Sequence, residues 1–323
     1  MDNRIRGTIL ITGGTGSLGQ QLVETLLAQH LSKKIIVFSR DEWKQSEMGK
    51  RWPGGHPHAL RYFLGDVRDR DRLHRALAGV DYVIHAAALK QVPSCEYNPH
   101  EAVKTNVLGT QNVIDAAIDR GVKRVLLVSS DKAVDPINLY GATKLVAEKL
   151  AVHACAYAGA GGPLVAVCRY GNVLGSRGSV LHLWREQAAS GRIAVTDRRM
   201  TRFWITLPEA ATFVLRSLRE MRGGEIMIPK LPAASILELA AEVAPGCAVD
   251  EIGIRPGEKV HETLISPNEE GAILDQGDHF TVVPANVDPA PWSGTRMPRG
   301  FVYMSGDCAV QLARAAVRGG LAS

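Results

Sequence analysis

The sequence predicts an α/β protein with a doubly wound parallel sheet and a smaller C-terminal lobe. Three observations support this fold class. Short apolar runs alternate with segments of helical periodicity through the first half of the chain. A glycine-rich stretch at residues 12–19 separates the first apolar run from the first helix. The 323 residues, 46% of them hydrophobic, can bury one large core or two joined lobes. Such alternation is typical of parallel sheets with helices on both faces.

The expected elements follow this alternation in chain order. Strands are expected at residues 8–12, 34–38, 60–64, 82–87, 124–128 and 164–169. Helices are expected at residues 20–29, 71–78, 101–120 and 140–156, where apolar residues recur every three or four positions. After residue 171 the pattern loosens: residues 208–220 return to helical spacing, residues 223–232 and 249–257 suggest strand and loop, and residues 268–323 are rich in proline and glycine. We therefore expect a first domain at residues 1–171 and a second lobe at 172–323, from which about residues 206–222 return to the first domain.

Composition and charge narrow the functional classes. The net charge is +5, but lysine and arginine are scattered along the chain, so we expect no nucleic-acid partner. Some of these cations can instead serve an anionic substrate. The five cysteines are widely spaced, which favours reduced thiols over disulfides or a metal site. With no signal peptide and no apolar run long enough to span a bilayer, we expect a soluble cytoplasmic protein without a membrane partner.

The glycine-rich loop predicts a dinucleotide site. Strand, loop and helix occur in the order that brings a pyrophosphate to the N-terminus of a helix. Residues 1–171 are therefore expected to form a Rossmann-like cofactor domain. The loop residues expected to bind the cofactor are Gly13, Thr15, Gly16, Ser17, Leu18 and Gly19.

The end of the second strand distinguishes NAD from NADP. An acid there binds the ribose 2′-hydroxyl of NAD, whereas a guanidinium suits the 2′-phosphate of NADP. Ser39 and Arg40 occupy this region, so we expect NADP. The alternative is that Arg40 points to solvent and Asp41 takes the ribose. Asp66, at the end of the third strand, is expected either to receive the adenine amino group or to shape a turn.

A tyrosine and a lysine lie one helical turn apart after the fifth strand. Tyr140 and Lys144 share a helix face at i, i+4, and a nearby ammonium favours the tyrosinate that accepts a hydroxyl proton. Ser129 or Ser130 can hydrogen-bond the same hydroxyl. This combination predicts hydride chemistry at a hydroxyl group.

Asp131 and Lys132 lie just upstream and suit proton removal followed by loss of water. A lysine acts as a base only when its pKa is lowered, and burial near a cationic nicotinamide would lower it. An acid beside it can donate a proton in a dry pocket. The alternative is a surface ion pair in a loop, but the adjoining tyrosine and lysine favour the catalytic interpretation.

With these motifs in place, the chain resembles the extended short-chain dehydrogenase/reductases. More narrowly, it is similar to the inverting UDP-N-acetylglucosamine 4,6-dehydratases that begin pseudaminic acid synthesis. The matching segments lie at residues 39–42, 65–69, 85–90, 131–133, 136–144, 169–173, 175–179, 199–206 and 255–259. Ser130 replaces the family's usual Thr, Gln91 replaces a usual His, and the chain after about residue 268 matches poorly.

The resemblance implies a reaction cycle in which tightly bound NADP is regenerated and a nucleotide sugar loses water. The implied substrate is UDP-N-acetylglucosamine or a close relative. Tyr140 resembles the base for oxidation at C4, Lys132 the base that removes the C5 proton, and Asp131 the acid at the C6 hydroxyl. C6 is then reduced, and C5 is reprotonated from the opposite face.

The resemblance also implies contacts with both ligands. For the cofactor these are Val67, Ala86, Ala87, Ala88 and Asn106, together with Tyr140 and Lys144. For the substrate they are Lys90, Ser130, Asn172, Arg177, Arg199, Arg202, Arg255 and Glu258. Arg255 is the best candidate for the UDP pyrophosphate, because a guanidinium binds phosphate through two N–H groups. Phe203 and Trp204 are expected in the core.

Other functions remain open from the sequence. A 5,6-dehydratase would use the same residues but stop midway and release a 5,6-unsaturated sugar nucleotide. A 4-epimerase needs only Tyr140 and Lys144 and leaves Asp131 and Lys132 unexplained. Retaining dehydratases typically carry Met at the Tyr140 position, and a non-catalytic nicotinamide-binding module usually loses the Tyr or the Lys.

Related dehydrogenases commonly pair through the helix that carries Tyr140. By analogy, a homodimer or a larger even assembly is expected. The apolar residues Leu145, Leu150 and Ala151 are compatible with such a pairing, and core packing explains them equally well.

Overall fold

The computed structural model describes residues 5–52, 60–159, 161–176, 180–269, 271–285 and 287–307. Its α-helices are α1 (Ser17–Ala28), α2 (Glu42–Arg51), α3 (Arg70–Ala76), α4 (Val92–Tyr97), α5 (Pro99–Ala102), α6 (Gly109–Asp119), α7 (Leu139–Tyr157), α8 (Val180–Ala188), α9 (Leu207–Glu220) and α10 (Ile236–Val243). A π-helical turn, Val103–Leu108, joins α5 to α6, and a 3₁₀ turn, Asp131–Ala133, precedes α7.

The strands follow the same chain order. They are β1 (Ile5–Thr12), β2 (Ser32–Ser39), β3 (Leu60–Leu64), β4 (Tyr82–His85), β5 (Arg124–Ser130), β6 (Leu164–Tyr170), β7 (Asn172–Val173), β8 (Arg192–Val195), β9 (Thr201–Ile205), β10 (Ile226–Pro229), β11 (Ala233–Ser235), β12 (Ala248–Glu251), β13 (Thr263–Ile265), β14 (Ala272–Asp275), β15 (His279–Val283), β16 (Thr295–Arg296) and β17 (Tyr303–Met304).

A large central sheet organises the molecule. Its first six strands lie in the order β3-β2-β1-β4-β5-β6, all parallel, which is the doubly wound arrangement that the sequence predicts. The predicted fold class is therefore confirmed. Because parallel strands end at the same edge, Thr12, Ser39, His85 and Ser130 all face one crevice.

A second apolar core lies beside the central one. It is built from α8, β8, β9 and α10 around the buried rings of Trp184 and Trp204. Phe203, the neighbour of Trp204 in β9, belongs to the central core, because successive side chains of a strand point to opposite faces. The prediction that Phe203 and Trp204 are core residues is confirmed. The domain boundary at residue 171 stays a prediction.

Several elements escape the sequence pattern. The central sheet continues beyond β6 through β10, β15, β14 and β16, so the chain after residue 171 returns to it in more places than residues 206–222. These strands are short, and β10, which joins them to β6, pairs with strands that lie far from it in the chain. Helix α2 was not predicted either, because it buries only Gln45 and Met48 and so lacks an apolar period.

Two compositional features can be placed on the structure. Within the described residues, no helix combines the length and the hydropathy needed to cross a bilayer. Cys95, Cys155, Cys168 and Cys247 carry free thiols, and Cys308 lies outside the described part of the chain.

A buried ion network ties the central sheet to the chain that follows β13. Arg169, near the end of β6, is 1% exposed. Its Nη2 donates to Glu148 Oε2 of α7 at 2.6 Å, and its Nη1 donates to Glu269 Oε2 at 2.9 Å and to the Leu264 carbonyl at 2.8 Å. A buried guanidinium is tolerated only when its charge and its N–H groups find partners. The network therefore holds α7 against the chain that follows β13.

Replacing Arg169 by Met should lower the free energy of unfolding by about 3–5 kcal/mol, because two largely buried carboxylates lose their cation. Chemical denaturation of both proteins measures the difference. Arg192→Met is the matched control, since Arg192 pairs with Asp250 at an exposed position, where ion pairs contribute little. Superimposable unfolding curves for the two variants would contradict a stabilising role for the network.

Candidate active site

The loop between β1 and α1 is tightly turned, and the glycines at positions 13 and 19 leave no room for a Cβ atom. Gly13 has a left-handed φ of 66°, and a Cβ there would lie 2.9 Å from the Cα of Ala87. A Cβ on Gly19 would lie 2.5 Å from the Gly14 carbonyl oxygen. Helix α1 follows Gly16 without a side-chain cap on its N-terminus. This combination fits the pyrophosphate of a dinucleotide, which binds to backbone N–H groups at such a turn.

A buried histidine joins the ends of β1 and β4 behind this loop. His85 Nδ1 lies 2.7 Å from Thr12 Oγ1, and its Nε2 lies 3.0 Å from Thr110 Oγ1. Thr12 Oγ1 also accepts a hydrogen bond from the Ala87 N–H at 3.2 Å. Burial, reinforced by the positive charge of Lys144, lowers the pKa of His85 to about 3. The ring is therefore neutral at physiological pH and serves to fix the loop. A lone histidine in an apolar strand gave no signal of this in the sequence.

The end of β2 presents a cation and a hydroxyl to the crevice. Asp41 caps α2: its Oδ1 accepts from the Lys44 N–H at 2.9 Å, and its Oδ2 pairs with Lys44 Nζ at 2.6 Å. The Asp41 carboxylate is thus occupied by its own helix. The Arg40 side chain is 53% exposed, with Nη1 3.7 Å from Asp66 Oδ2. Ser39 is buried, and its Oγ accepts one hydrogen bond.

Asp66 shapes the turn after β3. Its Oδ1 accepts from the Arg68 N–H at 3.0 Å, and its Oδ2 accepts from Arg68 Nη2 at 2.7 Å. Burial alone would raise the pKa of this carboxyl, but the hydrogen bonds from Arg68 outweigh burial and lower it. Asp66 is therefore ionised and performs the turn role that the sequence allowed. Its contact with adenine stays a prediction.

The remaining predicted cofactor residues follow β3 and β4 or lie beside them. Val67 is buried, and Ala86, Ala87 and Ala88 are partly buried. Asn106, in the π-helical turn, uses its whole amide: Nδ2 donates to the Leu89 carbonyl at 2.9 Å and to Thr143 Oγ1 at 3.0 Å, and Oδ1 accepts from the Leu89 N–H at 2.8 Å. Asn106 thus joins the chain after β4 to α7. Its contact with the cofactor stays a prediction.

Helix α7 is placed directly against the 3₁₀ turn. Asn138 caps the helix, with Oδ1 accepting from the Gly141 N–H at 2.7 Å. A Cβ on Gly141 would lie only 2.1 Å from the Lys132 carbonyl oxygen. Only glycine therefore allows the backbone of the turn to touch the helix at this point. The contact places Tyr140 beside Asp131.

Tyr140 and Lys144 are both buried in the first turns of α7. Burial raises the pKa of the Tyr140 phenol, and a hydrogen bond with Ser130 and the charge of Lys132 oppose that rise without cancelling it. Lys144 Nζ donates to the Val128 carbonyl at 2.7 Å, and burial lowers its pKa to about 8. The cation that opposes this rise in the pKa of Tyr140 is Lys132, whereas the helical spacing indicates Lys144.

Ser130 connects the two reactive pairs. Its Oγ donates to Asp131 Oδ1 at 3.1 Å and accepts from the Lys132 N–H at 3.0 Å. The same side chain hydrogen-bonds Tyr140. Ser129, the neighbour on β5, is buried and its Oγ has no hydrogen-bond partner in the described structure. Of the two candidate serines, the structure therefore brings Ser130 to the tyrosine.

Asp131 and Lys132 do not form a surface pair. Asp131 is 1% exposed, and its Oδ1 lies 3.0 Å from Lys132 Nζ. A second carboxylate, Glu262, places Oε1 3.3 Å from the same nitrogen. Burial lowers the pKa of Lys132, but the charges of Asp131 and Glu262 outweigh burial and raise it. Without a nucleotide the pKa of Lys132 is therefore raised, first by Asp131 and then by Glu262, and the lowering that a cationic nicotinamide would cause stays a prediction.

Two of the predicted substrate residues carry buried polar atoms without a partner. Asn172 Oδ1 and Glu258 Oε2 are buried, and neither has a hydrogen-bond partner in the described structure. Buried polar atoms of this kind usually meet a ligand or water. Arg255 is exposed, with Nη1 3.9 Å from Glu258 Oε1. Burial and the charge of Lys132 lower the pKa of Lys90. Ser130, which contacts Tyr140 and Asp131, also belongs to the predicted substrate residues.

The other predicted substrate residues have different surroundings. Arg199 Nη2 donates to Asp197 Oδ2 at 2.6 Å on the surface. Arg202 is buried, and its guanidinium donates to the carbonyls of Val260 and Lys259 at 2.9 and 3.0 Å. It thus fixes the segment that precedes β13. Arg177 lies outside the described residues. All substrate contacts stay predictions.

Sequence reasoning missed Gly141 and Glu262. Gly141 carried a signal, because glycine destabilises a helix and so needs a reason when it follows a reactive tyrosine. Glu262 gave no signal in the sequence, since it lies far from Lys132 in the chain and directly precedes a short apolar strand.

Comparisons with known proteins agree on one family. Residues 9–284 match the family model described as polysaccharide biosynthesis protein. The inverting UDP-N-acetylglucosamine 4,6-dehydratase of Campylobacter jejuni subsp. jejuni serotype O:23/36 (strain 81-176) is 45% identical over 309 residues, 92% of each chain. The UDP-glucose 4-epimerase of Rickettsia typhi (strain ATCC VR-144 / Wilmington) is 41% identical over 283 residues, 85% of this chain and 82% of the epimerase.

A solved structure extends the likeness to the fold. The X-ray structure of Pen from Bacillus thuringiensis superimposes with a TM-score of 0.88 and 36% identity, covering 97% of this chain and 96% of that one. The similarity therefore includes the segments after residue 171.

The two site lysines should titrate far apart. With no nucleotide bound, the Cε resonance of Lys144 in a ¹³C-lysine-labelled protein should shift with a midpoint near pH 8. The Cε resonance of Lys132 should not shift in this range, because its amine stays protonated. Lys144→Met and Lys132→Met variants assign the two signals. A common midpoint for both lysines would contradict the electrostatics described here.

Proposed function

Because the chain belongs to the polysaccharide biosynthesis protein family, we propose that it is a nucleotide-sugar dehydratase acting on UDP-N-acetylglucosamine. The product is a UDP-4-keto-6-deoxy-N-acetylhexosamine inverted at C5. One observation carries this proposal: the Tyr140–Ser130 pair and the buried Asp131–Lys132 pair adjoin at the crevice beside the glycine loop. The similarity to the inverting dehydratase of Campylobacter jejuni supports it.

The first role of the site is proton removal at the C4 hydroxyl. When bound, the nicotinamide accepts hydride from C4 and returns it to C6. Ser130 and Tyr140 hold the hydroxyl between them, and the phenol oxygen takes its proton. Lys132 favours the ionised phenol by its charge. Lys144, fixed to the Val128 carbonyl at 2.7 Å, lies on the same helix face and can bind a ribose hydroxyl.

The second role is elimination of the C6 hydroxyl. Once C4 is a ketone, the C5 proton is acidic. Lys132 removes this proton, while Asp131 protonates the C6 oxygen as it leaves. The two groups lie 3.0 Å apart, with the Asp131 side chain 1% and the Lys132 side chain 26% exposed, so both can reach neighbouring carbons of one sugar. A buried acid–base pair can exchange roles in this way because solvent does not compete for its protons.

The alternatives explain less of the site. A 4-epimerase, the activity named for the Rickettsia relative, needs Tyr140 and Lys144 but leaves the buried Asp131–Lys132 pair without a task. A 5,6-dehydratase would use every residue of the site and differs only in where hydride returns. A non-catalytic module gives no reason to keep the charged side chains of Asp131, Lys144 and Glu262 buried, where each costs free energy.

We propose NADP as the cofactor. The Asp41 carboxylate is engaged with the start of α2, and the Arg40 guanidinium lies half-exposed at the end of β2. A guanidinium and the Ser39 hydroxyl suit a 2′-phosphate, whereas NAD needs an available carboxylate.

Assembly and location are further proposals. Helix α7 exposes Val146 and Tyr157, which supports pairing of two copies through this helix. Ala151 and Leu150 pack in or against the central core instead, so they do not contribute to that argument. A cytoplasmic location and a place in pseudaminic acid synthesis stay predictions.

Incubation with UDP-N-acetylglucosamine in deuterated water tests the reaction. We expect a 4-keto-6-deoxy product that carries one deuterium at C5 with inverted configuration, because solvent supplies the returning proton on the opposite face. NMR and mass spectrometry identify it. A 5,6-alkene product would favour the 5,6-dehydratase, and formation of UDP-N-acetylgalactosamine would favour the 4-epimerase.

Removal of the Arg40 guanidinium should separate the two cofactors. Arg40→Ala should weaken NADP binding about ten- to a hundredfold and change NAD binding little, because a hydrogen bond to a charged phosphate is lost. Calorimetric titration of the two nucleotides measures this. Lys50→Ala, on an exposed part of the same helix region, serves as the control. Equal losses for NAD and NADP would argue against a 2′-phosphate contact.

A further inference from the structure

A third carboxylate completes the reactive cluster. Glu262 directly precedes β13 and is 3% exposed. Its Oε1 lies 3.3 Å from Lys132 Nζ and 3.8 Å from Arg202 Nε. Its Oε2 is buried without a hydrogen-bond partner in the described part of the chain. The Glu262 backbone is fixed on both sides by Ser305, whose Oγ accepts from the Glu262 N–H at 2.9 Å and whose N–H donates to the Glu262 carbonyl at 2.8 Å.

The two carboxylates beside Lys132 are not equivalent. Asp131 Oδ1 accepts hydrogen bonds from both Ser130 Oγ and Lys132 Nζ. Each carboxylate keeps one unpartnered oxygen in the described structure, Asp131 Oδ2 and Glu262 Oε2, but of the two only Asp131 also accepts from Ser130, whereas Glu262 Oε1 lies 3.3 Å from Lys132 Nζ. Burial raises the pKa of Glu262 even though Lys132 opposes the rise. Glu262 is therefore the better acceptor for a proton that leaves Lys132.

We propose that Glu262 accepts a proton from Lys132 before elimination, so that Lys132 meets the sugar as a neutral amine. This inference rests on the dehydratase function proposed above. It resolves the conflict between the basic role of Lys132 and the ammonium that two neighbouring carboxylates stabilise. Glu262 does not touch the sugar and acts through Lys132, so it is a positioning residue.

The proton transfer balances without an outside reagent. An Nζ–H bond of Lys132 breaks, its electron pair stays on nitrogen, and an O–H bond forms at Glu262 Oε1. The amine then takes the C5 proton, and the C5–H electrons form the C5–C6 double bond. The C6 oxygen leaves as water with a proton from Asp131, whose Oδ2 has no partner in the described structure. Asp131 receives this proton from Tyr140, which took it from the C4 hydroxyl, through Ser130, whose side chain contacts both residues.

The surrounding charges make the proposal distinguishable from a purely electrostatic role. The charged groups that face Glu262 are Lys132, Asp131, Arg202 and Lys259; Lys90 and Tyr140 also face Lys132. A glutamine at position 262 removes a negative charge and leaves Arg202 uncompensated, which lowers the pKa of Lys132. If Glu262 merely stabilised the ammonium, its loss would free the amine and make elimination faster.

The test compares Glu262→Gln with the wild-type protein, with its cofactor bound, on UDP-N-acetylglucosamine. C4 oxidation is followed by the absorbance of the cofactor, and elimination by mass spectrometry of quenched samples across a pH series. Glu225→Gln is the matched control, because Glu225 is also fully buried and its pKa is also raised by burial, but it lies outside the site. The Lys132→Ala variant gives the rate of elimination when the base is absent.

We expect Glu262→Gln to oxidise C4 normally and to eliminate about a hundredfold more slowly near neutral pH. Its elimination rate should rise by about tenfold per pH unit, since Lys132 now loses its proton to solvent, whereas the wild-type rate should be flat because the proton moves inside the cluster. Glu225→Gln should match the wild type.

Every other result overturns the proposal. An unchanged rate would show that Asp131 alone takes the proton, and a faster rate would assign Glu262 an electrostatic role. A slower rate with a flat pH profile would show a role in packing only. If Glu262→Gln does not fold, Glu262→Asp keeps a carboxyl and must keep a flat profile. Wild-type protein that forms no dehydrated product would instead refute the proposed function.

Discussion

The contact between Gly141 and the Lys132 carbonyl is the constraint on which the site depends. A side chain at position 141 would overlap that oxygen, so the first turn of α7 can rest on the 3₁₀ turn only through a glycine. This contact aligns two reactive pairs that come from different elements, one from the helix and one from the end of β5. Ser130 then connects them through hydrogen bonds to both sides. Close backbone approach thus converts two ordinary sequence motifs into a single site.

Residues 257–262 complete the reactive cluster from a distant part of the chain. Asn138 Nδ2 donates to the Gly257 carbonyl at 2.8 Å, and Lys259 Nζ donates to the Val134 carbonyl at 2.6 Å. Arg202 binds the same segment from β9. These bonds hold residues 257–262 against the 3₁₀ turn, which is how Glu262 reaches Lys132. Of the residues predicted to bind substrate, Glu258 is part of this segment and Arg255 lies two residues before it.

Burial gives the site its charge balance. In a position with little solvent, the protonation state of each group is set by its nearest charges more than by its ordinary pKa. Burial lowers the pKa of Lys144 to about 8, and the charge of Glu148 opposes this only in part, whereas Lys132 is held as an ammonium by two carboxylates. Two lysines that lie twelve residues apart thus have opposite electrostatic behaviour. That difference suits one to binding and the other to proton transfer within a cluster.

The sequence by itself determined the parallel sheet, the glycine loop and the helix that carries Tyr140 and Lys144, because each depends on residues that are close in the chain. Apolar periodicity and i, i+4 spacing are local properties. The tertiary structure alone decided which serine meets the tyrosine, that Asp41 is occupied by its own helix, and that Glu262 joins Lys132. Such outcomes depend on distances of a few ångströms between segments far apart in sequence. The tertiary structure also decided that Glu262 adds to Asp131 in raising the pKa of Lys132, since a pKa follows all the charges around a group and not only its neighbours along the chain.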